Sequence, residues 1–383
     1  NVIKNREAKL VWFHAASIGE LKCIIPVLKE LNKSKEKFEF LITTVTLSSS
    51  YIADKEFKRF ANIHHRFFPI DVSFVIQKFI KLWKPKFILL VESEIWPNII
   101  IEAKNCKIPL GLINARITEK TYKRWKLIPY FSQKIFQAFD ICLSSNLETS
   151  KYLEKLNAKN IFNTGNLKLI NTIEKDKIFN ENKELLKENK FWFAASTHEG
   201  EEDFCLETHL KLKKKLDKII TIIAPRHINR TKKIKYICEK YKLNYQILNS
   251  NEKIKEGKEI ILINSFGVLL NYFKYAKSVF VGKSMFKHFK KVGGQNPVEA
   301  ASLGCKIYHG QFIYNFKEIY EILEKNNISK VIKTSDELAE SLAKDLTNSK
   351  KRTEIFSELM DKLGQKTLYD NMKNLNNFII NET

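Results

Sequence analysis

Short apolar runs alternate with longer amphipathic stretches along this whole chain. A chain written that way can bury its backbone by setting the runs side by side as parallel strands with helices between them. In the first half the runs are residues 10–16, 38–46, 87–91, 109–113 and 141–144; in the second they are 191–195, 219–224, 259–263, 278–282 and 306–309. They are short and nearly continuous in apolar character, the pattern of strands covered on both faces. Residues 171–190, rich in Lys, Glu and Asn, separate the two series. Both halves open alike, Leu10-Val11-Trp12-Phe13-His14-Ala15-Ala16-Ser17 and Phe191-Trp192-Phe193-Ala194-Ala195-Ser196, an aromatic strand ending in small residues and a serine. The expected architecture is α/β, with two Rossmann-like domains facing each other across a cleft. Residues 1–170 form the first domain and 171–350 the second, and a helical segment 351–383 packs back toward the first.

With 383 residues there is room for two cores, and 44% hydrophobic with 28% charged residues describes a globular chain. No apolar run reaches the length of a membrane span. The chain starts at Asn1 rather than Met, so attachment to a membrane is expected to be peripheral or through an N-terminal anchor absent from this chain. The net charge of +23 favours anionic partners, namely nucleic acid, anionic lipid or phosphorylated substrates, although a lysine-rich genome produces the same excess. Nucleic acid is disfavoured, because no recognition signature or arginine–aromatic clustering is present. The chain has only eight arginines, so Arg116, Arg226 and Arg230 stand out as candidate anion clamps. Six cysteines without C-x-x-C or metal spacing read as reduced and structural, and no secretory signal is visible.

Ligands of open α/β sheets bind beyond the carboxyl ends of the strands, so the residues just after the runs carry the information. Gly293-Gly294-Gln295-Asn296-Pro297-Val298-Glu299 combines a flexible turn, a helix cap at Asn296, a proline suited to the first helical position and a carboxylate three residues after the cap. It fits a phosphorylated, hydroxyl-bearing ligand, or a plain capping box. Ser17-Ile18-Gly19-Glu20 and Ser196-Thr197-His198-Glu199 repeat the capping spacing. Glu20 then either bonds the cap backbone or serves as a general base, and spacing alone allows both. Glu92 and Glu94 follow an apolar run; they read either as a solvated loop pair or, bordering a buried strand and a Trp-Pro turn, as carboxylates of which one is placed for function.

Several matches fail. Gly282-Lys283-Ser284 lacks the glycine of a phosphate-binding loop five positions earlier, where Lys277 stands. His198-Glu199-Gly200-Glu201-Glu202 lacks the second histidine of a zinc-protease helix, and no G-x-G-x-x-G is present. His64 and His65 point apart on a strand and read as structural.

Taken in order, these motifs resemble the 3-deoxy-D-manno-octulosonic acid (Kdo) transferases of bacterial lipopolysaccharide synthesis. The matching stretches are Phe13–Glu20 in the order Phe-His-Ala-Ala-Ser-Ile-Gly-Glu, Glu92-Ser93-Glu94-Ile95-Trp96-Pro97-Asn98, Asn114-Ala115-Arg116, Gly165-Asn166-Leu167-Lys168, Ala195-Ser196-Thr197-His198-Glu199-Gly200-Glu201, Ala224-Pro225-Arg226-His227 and the glycine segment at 293–299, followed by Asn315-Phe316. The resemblance implies a B-type glycosyltransferase fold, a CMP-Kdo donor and a lipid A precursor as acceptor. It also implies work at the cytoplasmic face of the inner membrane, on its anionic surface. It makes Glu20 the catalytic base, with Glu92 and Glu94 supporting it or the acceptor. Ser196, Thr197, Arg226, His227, Ser284, Gly293, Gly294, Asn296 and Glu299 would hold CMP, while Ser17, Gly19, Asn114, Arg116 and Lys168 would line the acceptor side. No metal or cofactor is implied, CMP-Kdo being a co-substrate. Where the family leads one to expect a glycine pair before Ser284 the chain has Gly282-Lys283, and acidic positions expected nearby are Asn264-Ser265 and Val268. The main alternative is another enzyme of this fold, a transferase or epimerase using a UDP-sugar. A non-catalytic scaffold is a third reading.

Overall fold

The computed structural model describes residues 8–34, 37–58, 60–170, 173–347 and 351–381. They form two α/β units. One comprises Asn1–Ile170 together with Leu363–Thr383, the other Asn171–Lys362.

The first unit holds seven parallel strands, β1 (Lys9–His14), β2 (Phe38–Thr44), β3 (Ile63–Phe67), β4 (Phe87–Val91), β5 (Leu110–Ala115), β6 (Ile141–Ser144) and β7 (Ile161–Asn163), in the order β3-β2-β1-β4-β5-β6-β7. Side chains alternate between the two faces of a strand, and the core divides accordingly. Val11 and Phe13 of β1 pack with Ile24, Leu28 and the helix Ile18–Leu31 on one face. Leu10 and Trp12 pack with Ile76, Ile80 and Trp83 of the helix Ser73–Trp83 on the other. Gly111 in β5 is required for strand spacing, since a Cβ there would lie 2.6 Å from Leu89 Cδ2. The end of the helix Lys351–Asn381 completes this unit: Leu375, Phe378 and Ile379 enter the first face, Phe378 lying edge-on to Phe87 at 5.8 Å. Asn371 Nδ2 donates to the Thr164 carbonyl at 3.2 Å, and Thr164 Oγ1 donates back to Asn371 Oδ1 at 3.0 Å.

The second unit repeats the plan with β8 (Lys190–Thr197), β9 (Ile219–Pro225), β10 (Tyr245–Leu248), β11 (Ile260–Ile263), β12 (Ser278–Val281), β13 (Lys306–His309) and β14 (Ser329–Val331), ordered β10-β11-β9-β8-β12-β13-β14 and all parallel. Trp192 and Ala194 of β8 pack with Leu206, Leu212 and Leu338. At its start the last helix belongs here, with Phe356 buried and Ser357 Oγ donating to the Ser302 carbonyl at 2.9 Å.

All ten apolar runs become strands. Three end sooner than expected, at His14, Thr44 and Val281; in the first two the following residues turn to present caps, Ser17 for Ile18–Leu31 and Thr46 for Leu47–Phe57. Four strands have no such run, and all four are sheet edges, β3, β7, β10 and β14. Among the described residues no helix is long and apolar enough to cross a membrane.

Candidate active site

In each sheet the chain leaves its first strand, builds outward on one side and returns to the other, so the order reverses between β1 and β4 and between β8 and β12. Such switch points open a crevice beyond the strand ends where ligands of this architecture bind.

At the first unit's switch point, Ser17 Oγ accepts from the Glu20 N–H at 3.3 Å. Glu20 Oε2 accepts from the N–H groups of Ala16 (2.7 Å) and Ser17 (3.3 Å), and Oε1 from Ser17 Oγ at 3.0 Å. This is a capping box. The capping role does not exhaust the carboxyl. Burial first, then the charges of Glu92 and Glu94, lift it to about 7 against the hydrogen bonds from Ser17 and Ala16. A carboxyl poised there exchanges its proton at neutral pH.

Both Glu92 and Glu94 act on Glu20, where one placed carboxylate was expected. β4 stops at Val91 and Glu92 turns into the left-handed region at φ 55°. Buried Glu92 lies 2.5 Å from Lys168 Nζ and accepts from Asn114 Nδ2 at 3.4 Å. Asn114, itself left-handed at φ 48°, accepts from the Leu167 N–H at 2.9 Å and so fastens the turn that carries Lys168. The Cys23 thiol, 3.8 Å from Glu92, is pushed up by burial and by that carboxylate. Arg116 joins through its backbone, its N–H donating to the Glu92 carbonyl at 3.2 Å and its carbonyl accepting Ser93 Oγ at 2.8 Å. Gly19 leaves open room beside this cluster, where a Cβ would meet only Ser17 Oγ at 3.8 Å and Lys168 Cε at 3.9 Å.

Glu94 is opposite in character to Glu20. Burial raises it, but the interactions with His14, 3.3 Å away, and with Trp96 Nε1, donating at 2.7 Å, more than offset that and hold it below the ordinary carboxyl range. His14 was not singled out by the sequence. It is wholly buried, stacked on Phe68 at 3.8 Å, with Nδ1 3.1 Å from Thr43 Oγ1. The available signal was a polar residue closing a fully apolar strand.

In the second unit two expectations are corrected. Ser196 is not a helix cap: it sits at φ 55° in the irregularity between Ala195 and Thr197 of β8, and the helix Glu201–Lys213 starts behind Gly200, whose φ of 87° supplies the turn. Glu199 therefore is no capping partner, and it pairs instead with Lys233 at 3.4 Å and Arg230 at 3.6 Å. Arg230 is not an anion clamp. It grips buried Glu202 with two hydrogen bonds, at 3.1 and 2.9 Å, a pair whose breakage would cost about 3–5 kcal/mol. Buried Thr197 also donates to Glu202, at 3.2 Å, and buried Ser284 donates to the Val281 carbonyl at 2.8 Å while accepting from the Gly310 N–H at 2.9 Å, so both hydroxyls are committed inside the unit.

Glu201 is a further residue whose role the sequence did not disclose. Fully buried, it accepts from the N–H groups of His198, Lys283, Ser284 and Met285 at 2.9, 2.7, 2.8 and 3.1 Å. Its carboxyl is raised on balance, burial lifting it by more than those four bonds lower it. It sits among acids typical of any helix start, which hid it. Around this anchor lie His198, with Nδ1 3.0 Å from the Ser196 carbonyl and pushed down to about 4 chiefly by burial, and exposed His227, edge-on to it at 6.1 Å. Exposed Arg226 donates its N–H to the Thr197 carbonyl at 3.0 Å, and its guanidinium makes no ion pair among the described residues. The Gly294 N–H, at φ 87°, donates to the Lys283 carbonyl at 2.7 Å, and a Cβ on Gly293 would collide with the Phe312 carbonyl. Asn296 Oδ1 accepts from the Val298 N–H at 3.0 Å, but the helix, Val298–Ser302, starts one residue later than expected, with Pro297 as its cap and Glu299 in its first turn. No group of His, Cys, Asp and Glu among the described residues could hold a metal ion.

The two units define a two-domain fold of the B-type glycosyltransferase kind. The UDP-GlcNAc 2-epimerase of Neisseria meningitidis matches with a TM-score of 0.64 at 15% identity over 97% of this chain and 100% of that one. A second UDP-N-acetylglucosamine 2-epimerase gives 0.65 at 14% over 97% and 96%. Sequence narrows the class. Residues 1–171 match the family model described as 3-deoxy-D-manno-octulosonic-acid transferase (kdotransferase). The chain is 30% identical over 347 residues to a probable mitochondrial 3-deoxy-D-manno-octulosonic acid transferase of Arabidopsis thaliana, covering 88% of this chain and 76% of the relative. It is 32% identical over 345 residues to the enzyme of Rickettsia typhi, covering 89% and 72%, and 29% over 370 residues to that of Aquifex aeolicus, covering 95% of each. The chain belongs to the 3-deoxy-D-manno-octulosonic acid transferase family and is a glycosyltransferase.

Because the Glu20 carboxyl is raised in the folded chain, its contribution to stability is fully present below its ordinary value of 4.5 and is lost as pH rises to about 7. Glu20→Gln, which preserves the cap, is therefore expected to unfold at higher urea than the parent at pH 8, with a smaller difference at pH 5. A difference independent of pH would contradict the raised carboxyl.

Proposed function

We propose that this chain transfers Kdo from CMP-Kdo to a lipid A precursor in lipopolysaccharide core synthesis, inverting the anomeric centre, with Glu20 as general base. The observation that carries this reading is a carboxyl lifted to about 7 at the switch point of the first unit, in a chain of the Kdo transferase family. The acceptor hydroxyl attacks the anomeric carbon, its O–C bond forms as the bond from that carbon to the phosphate oxygen breaks, and CMP leaves with the electron pair. Glu20 takes the hydroxyl proton. Glu94, kept ionised by His14 and Trp96, together with the Glu92–Lys168 pair, orients the acceptor and fixes the charge around the base. Arg226 and His227, with the turn at Gly293, Gly294 and Asn296 and the carboxylate of Glu299, hold CMP, and the cation offsets the charge developing on the departing phosphate. No cofactor takes part.

The direct test is CMP release from CMP-Kdo with mass spectrometry of a tetraacylated lipid A precursor. Release with a mass gain of one or more Kdo units is expected. Glu20→Gln should lose transfer by at least about a hundred-fold and still bind CMP; near-normal turnover would leave Glu20 as a cap only. The fold shared with UDP-GlcNAc 2-epimerases supports a second reading, a UDP-sugar donor, which displacement of CMP by UDP at equal concentration would favour.

The reading includes an anionic membrane surface as partner, at the cytoplasmic face of the inner membrane. Leu47 (81% exposed), Ile70 (76%), Leu127 (81%) and Tyr130 (89%) stand on segments that follow β2, β3 and β5, and Leu127 directly follows the helix Glu119–Lys126 with Lys120, Lys123, Arg124 and Lys126. At roughly 1 kcal/mol per basic residue near the surface, such a helix suffices for salt-sensitive docking. Binding to phosphatidylglycerol vesicles should weaken several-fold as ionic strength rises; binding indifferent to salt would point to apolar insertion alone.

A further inference from the structure

The turn after β12 forms an anion-binding concavity that is already occupied. Successive backbone N–H groups that converge on one spot are what cradle phosphate in many nucleotide sites. Here the converging groups of Lys283, Ser284 and Met285 end on the two oxygens of Glu201, at 2.7, 2.8 and 3.1 Å. Glu201 is fully buried and also holds the His198 N–H at 2.9 Å. The strands are locked together at this point, since a Cβ on Gly282 would stand 2.5 Å from the Ser196 carbonyl oxygen. The Gly294 N–H is taken as well, by the Lys283 carbonyl at 2.7 Å. A phosphate arriving here must therefore be met by side chains.

Two cations stand ready. Neither the Lys283 ammonium nor the Arg226 guanidinium makes an ion pair among the described residues, and β9, β8 and β12, whose ends bear Arg226, His198 and Lys283, are neighbours in the sheet. Both charges reach His198, whose imidazole is depressed first by burial and then by Lys283, His227 and Arg226. The nearby acids do not neutralise the pair: Glu201 is committed to backbone N–H groups, Glu202 to Arg230, and Glu199 to Lys233 and Arg230. Lys283 also occupies a backbone conformation that disfavours it, with φ at 59°. Glycine adopts that conformation without strain, so stability gives no reason for a long basic side chain at this position.

We infer that the Lys283 ammonium is the phosphate contact of the nucleotide donor, supplied by a side chain because Glu201 has consumed the backbone N–H groups of the same turn. This rests on the reading of the second unit as the one that binds the donor. Lys283 and Arg226 then form a two-armed clamp, while neutral His198, its Nδ1 held against the Ser196 carbonyl, offers Nε2 as an acceptor rather than a third charge.

The test compares the parent chain with Lys283→Gly and Lys283→Met, titrating CMP, UDP, cytidine and uridine calorimetrically and following urea unfolding in parallel. Lys283→Gly should unfold at higher urea because strain is relieved, bind CMP about ten-fold or more weakly, and keep the parent's affinity for cytidine. Lys283→Met should show the same loss for CMP without the gain in stability, and CMP binding should depend less steeply on salt in both variants. If the parent prefers UDP to CMP, the CMP donor is wrong but the inference is judged by the same comparison of UDP with uridine. Unchanged nucleotide affinity in both variants, an equal loss for nucleotide and nucleoside, or no nucleotide binding by the parent would overturn the inference.

Discussion

A parallel strand buried on both faces has nowhere to keep a charge except at its ends. In this chain β1, β2, β4, β5, β8, β9, β11 and β12 are nearly all interior, so the candidate site residues gather in the turns at and beyond their carboxyl ends. Those turns must be sharp, and the backbone records it. Glu92, Asn114, Ser196 and Lys283, none of them glycine, adopt φ values of 55°, 48°, 55° and 59° at or just beyond the ends of β4, β5, β8 and β12. Strain of this kind persists where surrounding contacts over-determine it, and here Asn114 is held by Glu92 and Lys283 by Glu201.

Glu20 and Glu201 show how partner count separates two roles for one side chain. Glu201 faces four N–H donors, so it works as a fastener between β8 and the turn after β12. Glu20 receives two N–H donors and one hydroxyl, and faces Glu92 and Glu94. Burial, and then the like charge of Glu92 and Glu94, keep its proton mobile, as a base requires. Lys168 limits the excess by neutralising Glu92, while His14 and Trp96 keep Glu94 charged.

Much of the fold was legible because buried strands write themselves as apolar runs, and all ten such runs are interior strands. The four strands that left no run are the sheet edges: β3 and β7, with no buried residue, β10, with one, and β14, whose middle residue is exposed. The clustering of Glu20 with Glu92 and Glu94 could not be read, because it joins residues distant in sequence beyond the ends of β1 and β4, and nothing in either run says that these two strands are neighbours. The capping spacing held at Ser17 and failed at Ser196, where Gly200 offered a better start to the helix four residues further on. Arg230 and Arg226 look alike in sequence, and only the burial of Glu202 beside one of them separates a structural pair from an open cation.

The central claim is that an ordinary capping carboxylate has been converted into a base by its burial and by the charges around it. The pH dependence of kcat/KM for Kdo transfer, measured at saturating CMP-Kdo with the lipid acceptor limiting, tests this most directly. The rate should rise with pH through a single ionisation near 7. A profile flat from about pH 5 to 8, or one that turns on near the ordinary carboxyl value, would place the base elsewhere.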